Sequence, residues 1–133
     1  MSAEVAYLDT SAVVKLLVRE AETAALRRRL KDWPHRASSA LLRVELLRTV
    51  RRAAMPRLME GARRQLASID LIRMDDDLLE RAAGIEPSTA RSLDAIHLAT
   101  ALTLGSDLAA VVTYDARMST AAHALGLPVI APR

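Results

Sequence analysis

Four carboxylates, Asp9, Glu45, Asp94 and Asp115, are the residues through which this chain can do chemistry. Asp9 ends the apolar run Val5-Ala6-Tyr7-Leu8 and is followed by the hydroxyls of Thr10 and Ser11. Asp115 closes Ala110-Val111-Val112-Thr113-Tyr114 in the same manner. An ionised carboxylate among apolar groups is costly unless it is paired or coordinates a cation. Two of them at strand ends point to a shared cation, although either alone is accounted for equally well as the cap of the helix that follows. Glu45 lies in the stripe Leu42, Glu45, Leu46, Thr49, Val50, Ala53, whose helical spacing turns it inward with the apolar groups. A local ion pair with Arg48, worth about 0.3 kcal/mol when exposed, is the competing reading. Asp94 occupies a helical first turn, where the helix dipole favours a carboxylate whatever its task. His97, one turn further on, reads as a core or packing residue. Asp75-Asp76-Asp77 reads as a solvated helix start, because three adjacent side chains cannot face one point.

The elements that must position these residues alternate between short apolar strands and helices. Strands are expected over residues 4–8, 36–39, 69–74, 111–113 and 129–130. Between them, helices are expected over Ser11 to Val18, with Thr10 or Ser11 as N-cap, and over Glu20 to Lys31. Further helices span Ala40 to Ala54, Arg57 to Leu66, Asp75 to about Gly84, Leu93 to Leu104 and Ala116 to Leu125. Trp33-Pro34 and Pro56 break the pattern, and Gly105 and Gly126 close the helices before them. This alternation predicts an α/β fold with a parallel sheet covered on both faces and joined by right-handed crossovers. Such sheets bind ligands beyond the carboxyl ends of their strands, where strand order reverses. With the first and fourth strands as neighbours, about 4.8 Å apart, Asp9 and Asp115 would face each other there and repel without a cation between them.

Composition narrows the partners. The chain has 133 residues, 51% hydrophobic and 26% charged, and matches one domain spanning residues 1–133 with a substantial core. No apolar run reaches membrane-spanning length and no basic segment precedes an apolar one as in a secretory signal, so a cytoplasmic protein is expected. There is no cysteine, which leaves oxygen ligands or His35, His97 and His123 for any metal. The net charge is only +3, but the basic side is nearly all arginine. Arg27-Arg28-Arg29, Arg51-Arg52 and Arg63-Arg64 are candidates for binding phosphate, or are ordinary solvated helix faces. One Trp, two Tyr and no Phe do not supply a base-stacking platform.

The motifs Tyr7-Leu8-Asp9-Thr10-Ser11-Ala12, Arg43-Val44-Glu45-Leu46, Leu93-Asp94-Ala95-Ile96-His97-Leu98-Ala99-Thr100-Ala101 and Val112-Thr113-Tyr114-Asp115 follow one another in order. Together they make the chain resemble PIN-domain proteins, specifically the VapC toxins of bacterial toxin–antitoxin pairs, over nearly its whole length. The resemblance implies a three-layer α/β/α sandwich around a parallel sheet, and an endoribonuclease dependent on Mg2+ or Mn2+ that cuts transfer, ribosomal or messenger RNA. Its acidic residues map onto Asp9, Glu45, Asp94 and Asp115, of which Asp9, Asp94 and Asp115 are the main metal ligands and Glu45 positions metal or water. Thr113 supports metal or water through its hydroxyl, and Ser11 does similar supporting work or merely caps a helix. A VapB-type antitoxin and a toxin homodimer are implied as partners, with Arg19 to Lys31 and the apolar surface near residues 40–66 as contact regions. A catalytically inactive PIN-fold RNA-binding or scaffold module would be favoured by a missing acid, and none is missing. Two other enzyme-like folds fit less well. A haloacid dehalogenase-type phosphatase needs an acid where Ser11 stands, and a receiver domain needs a late lysine where this chain's two lysines, Lys15 and Lys31, are both early.

Overall fold

The computed structural model describes residues 3–133. Its centre is a five-stranded sheet of β1 (Val5–Leu8), β2 (His35–Ser39), β3 (Asp70–Ile72), β4 (Leu108–Val112) and β5 (Val129–Ile130), in the order β3-β2-β1-β4-β5 with every pairing parallel. The chain builds outward from β1 through β2 to β3, then returns to the other flank of β1 as β4. The order therefore reverses between β1 and β4, which are neighbours as the sequence predicts, and Asp9 and Asp115 follow their carboxyl ends.

The pleat of β1 assigns the two faces. Ala6 and Leu8 are fully buried against α1 (Thr10–Leu17), α2 (Thr23–Leu30), α3 (Leu41–Arg52) and α4 (Met59–Ala67), whose Val13, Leu26, Leu42, Leu46 and Leu66 complete that core. Tyr7 points the other way. With Val111 it packs towards α6 (Ser92–Leu102), and α7 (Ala116–Ala124) and α5 (Asp76–Ala83) complete that layer. Helices on both faces of a parallel sheet make the three-layer α/β/α sandwich. Burying a leucine such as Leu46, with none of its surface exposed, contributes about 1.5–3 kcal/mol.

Element boundaries differ from the expectations where local hydrogen bonds compete. Asp9, not Thr10 or Ser11, caps α1 by accepting from the Ala12 amide at 3.0 Å. The helix expected from Glu20 starts only at Thr23, whose hydroxyl accepts from the Glu20 amide and donates to the Lys15 carbonyl, holding the turn open. The helix expected from Arg57 opens as a single 3-10 turn at Pro56–Leu58. β3 stops at Ile72, because its only partner, β2, ends at the matching Ser39. β4 begins three residues early, at Leu108, after a turn in which Gly105 adopts a left-handed φ of 53°.

Candidate active site at the carboxyl edge of the sheet

Asp9 is held from all sides. Only 3% of the residue is exposed; Oδ1 accepts from the Ser11 hydroxyl at 2.6 Å and from the Ala12 amide, and Oδ2 accepts from the Thr113 hydroxyl at 2.5 Å. Each hydroxyl also accepts from the far strand's exit: Tyr114 N–H donates to Ser11 Oγ at 2.9 Å, and Asp115 N–H donates to Thr113 Oγ1 at 3.1 Å. Ser11 and Thr113 thus lace the end of β1 to the end of β4. Burial pushes the Asp9 carboxyl above its ordinary range, against the pull of these donors. The hydroxyl following Asp9 by two residues is therefore a supporting group as much as a helical residue.

Glu45 is reached by a different chain of contacts. It leans from α3 toward α6, where His97 Nε2 lies 2.6 Å from its Oε1, and Thr10 donates to the same oxygen at 2.6 Å. The other ring nitrogen of His97 lies 2.7 Å from the Tyr7 hydroxyl. An ionised Glu45 can only accept, so Nε2 carries the hydrogen of that contact, and the Tyr7 phenol, which burial keeps protonated, is the hydrogen-bond partner of Nδ1. Burial alone would raise the Glu45 pKa, but the His97 and Thr10 contacts outweigh it and hold the carboxyl below its usual range. Of the two readings of Glu45, the ion pair with Arg48 is absent among the described residues and the inward one stands. His97 is a satisfied, buried residue, as expected, but it is also the anchor of Glu45, a role the sequence reading missed. The signal was its spacing, one helical turn beyond Asp94, and a tyrosine in β1 on the face toward α6.

Asp94 and Asp115 form the exposed part of the site. Asp115 caps α7, accepting from the amides of Arg117 at 2.9 Å and Met118 at 3.3 Å, and is exposed. Asp94 stands partly buried in the first turn of α6; burial raises its pKa, and the negative charge of Asp115 raises it further, while His97, Arg117 and Arg91 pull in the opposite direction. Asp75 caps α5 and exposed Asp76 and Asp77 fill its first turn, as expected of a solvated helix start.

The four acids therefore do not collapse into one cluster. Among the described residues, no three acidic or histidine side chains stand close enough together to hold an ion unaided. Charge balance nevertheless favours a cation here. Asp9, Asp94 and Asp115 make no salt bridge among the described residues, although Asp9 is buried and Asp94 and Asp115 repel each other. An all-oxygen donor set with room for water suits magnesium or manganese, which keep several waters and need only one or two carboxylates.

A PIN domain family model matches residues 6–124. Ribonuclease VapC46 of Mycobacterium tuberculosis (strain ATCC 25618 / H37Rv) is 52% identical over 126 residues, covering 95% of this chain and 96% of the relative. Ribonuclease VapC47 of Mycobacterium tuberculosis (strain CDC 1551 / Oshkosh) is 41% identical over 130 residues with the same coverage. Two solved structures share the fold. Mycobacterium tuberculosis VapC20, described as a sarcin–ricin loop cleaving toxin, superposes with a TM-score of 0.74 at 19% identity, covering 96% of this chain and 99% of that one. A toxin–antitoxin complex from Klebsiella pneumoniae superposes with a TM-score of 0.72 at 23% identity, covering 96% and 98%.

Proposed function

Because the chain belongs to the PIN-domain family and, within it, to the VapC ribonucleases, we propose that it is the toxin of a toxin–antitoxin pair. In this reading it is a cytoplasmic endoribonuclease, dependent on Mg2+ or Mn2+, that hydrolyses RNA phosphodiester bonds and is silenced by a cognate VapB-type antitoxin. The observation that carries the reading is the set of unneutralised carboxylates, Asp9, Asp94 and Asp115, at the reversal of strand order.

Each residue has a task that its environment supports. Asp9, fixed by Ser11, Thr113 and the Ala12 amide, is the immobile ligand of the site. Asp94 and Asp115 would hold the cation at the solvent side, their mutual repulsion relieved by it. When bound, the cation supplies Lewis acidity to the phosphodiester and lowers the pKa of the water it holds. Glu45, kept ionised by His97 and Thr10, would position the metal or a water that donates to it. Thr113, whose hydroxyl donates to Asp9 and accepts from the Asp115 amide, keeps the two strand ends in register. The exposed arginines of Arg51-Arg52 and Arg63-Arg64 dock flanking phosphates, offsetting the repulsion between RNA and an acidic pocket. Dimerisation and antitoxin docking through the α2 and α3–α4 surfaces complete the proposal.

The test incubates purified protein with transfer and ribosomal RNA in Mg2+ or Mn2+, with and without chelator, beside Asp94→Asn. Metal-dependent cuts that the variant loses are expected. Cutting that survives chelation, or equal cutting by Asp94→Asn, would overturn the assignment.

A further inference from the structure

Beside Asp94 a cavity of about 390 Å³ runs between the loop preceding α6 and one stripe of α7. Its mouth carries Asp94 and Arg117, and its floor follows Arg117, Thr120, Ala121 and Ala124, which recur at i, i+3, i+4 and i+7 and share one helical face. Pro87, Thr89 and Ala90 form the opposite wall. The small side chains of α7 make the depth: any large residue at Ala121 or Ala124 would fill it. Across the first turn of α7 lies a second cavity of about 310 Å³, bordered by Thr113, Asp115 and Arg133 and sharing Thr120. Asp94 thus borders one hollow with Arg117, and Asp115 the other with Arg133.

We propose that the cavity beside Asp94 is a nucleotide subsite, which seats the base of the RNA residue adjoining the scissile phosphate while Arg117 binds the phosphate of that residue. The inference rests on the ribonuclease reading and extends it to the substrate. Three observations carry it. The cavity is continuous with a site carboxylate, so its occupant is joined to whatever reacts there. Arg117 lines the same cavity as Asp94, and a guanidinium there suits a phosphate oxygen. The lining mixes Ala121 and Ala124 with the Thr89 and Thr120 hydroxyls, of which Thr120 already donates to the Ala116 carbonyl and so is left to accept, a mixture that takes the face of a base and hydrogen-bonds its edge. Among the described residues no aromatic ring lines the cavity, so discrimination comes from its width and the two threonines.

The test uses Ala124→Leu, which adds bulk at an exposed position and leaves the core untouched, and Arg117→Ala. Binding of a short fluorescent oligoribonucleotide is measured by anisotropy in Ca2+, and cleavage in Mg2+ or Mn2+ is compared between that oligonucleotide and versions shortened by one nucleotide on either side of the cut. Obstructing the seat of the base should weaken binding roughly tenfold in Ala124→Leu, equivalent to about 1.4 kcal/mol. The cleavage penalty should vanish on one of the two shortened substrates, and Arg117→Ala should weaken binding with a shallower salt dependence. Unchanged binding in both variants, or a penalty that persists on both shortened substrates, overturns the subsite. So does Ala124→Leu losing a protein partner while binding RNA as the wild type does. If the wild-type protein cuts nothing, the ribonuclease reading fails, and the anisotropy still decides the subsite.

Discussion

Truncating His97 to alanine tests the claim that this histidine fixes Glu45. The His97 side chain is 3% exposed and its Glu45 partner 22% exposed, so the bond between them is largely shielded from water. A hydrogen bond to a charged group contributes about 1.5–3 kcal/mol, and the buried Tyr7 hydroxyl left without its acceptor costs about 1–3 kcal/mol more. His97→Ala should therefore lose roughly 3–5 kcal/mol, much of a typical domain's 5–15 kcal/mol but not all of it. Urea unfolding followed by far-UV circular dichroism reads this as a midpoint lowered by about 2 M, given slopes of about 1–3 kcal/mol per molar. A double-mutant cycle with Glu45→Ala isolates the pair and should return a coupling of about 1.5–3 kcal/mol. His97→Gln, which can still present a donor to Glu45, should recover part of the loss. The sign with pH also follows. A carboxyl whose folded-state pKa is depressed contributes stability above its unfolded value and loses it as pH falls through the folded one. The gap between wild type and His97→Ala should thus be full above the ordinary glutamate value of 4.5 and narrow below it. A loss under about 1 kcal/mol, or strict additivity with Glu45→Ala, would refute the reasoning.

Other perturbations are as direct. Asp94→Asn should raise the melting midpoint of the metal-free protein at neutral pH by the equivalent of about 0.5 kcal/mol, since it removes the desolvation of a charged carboxylate and its repulsion from Asp115 at a partly exposed position. A raised carboxyl pKa costs stability above the raised value and nothing below the unfolded one, so this advantage should disappear in thermal melts below the ordinary aspartate value of 3.8. Thr113→Val should destabilise by about 1–3 kcal/mol in urea, by stripping Asp9 of a donor and the Asp115 amide of its acceptor, and Thr113→Ser should restore most of it. If Arg51 and Arg52 both contact phosphate, changing both to Gln should flatten the log–log salt dependence of RNA binding by about 1.4, at about 0.7 for each contact on a single strand.

The order of strands and helices was legible because short apolar runs alternate with helical stripes, and the placement of Asp9 and Asp115 at adjacent strand ends followed from the general behaviour of parallel sheets. What escaped were contacts between residues distant in the chain. Glu45 could be read as facing inward or pairing with Arg48, because helical spacing does not say which partner waits across the fold. His97 supplied that partner from 52 positions away. The start of α2 was misread for a local reason: Thr23 satisfies the Glu20 amide and the Lys15 carbonyl together, so a turn replaces the first turn of helix. The cap of α1 was open between Thr10 or Ser11 and Asp9; the acid takes the position and leaves both hydroxyls free to brace carboxylates.

The strand that carries Asp9 is the middle one of five, bonded on both flanks, and the Asp9 amide itself donates to the Val112 carbonyl at 3.3 Å. Glu45 stands on α3 and Asp94 in the first turn of α6, where the cap residue Arg91 offers the leading amides no side-chain acceptor. Amide hydrogen exchange should therefore find Tyr7, Leu8 and Asp9 among the slowest sites, exchanging only when the whole domain opens, while the amides around Asp94 exchange through smaller fluctuations.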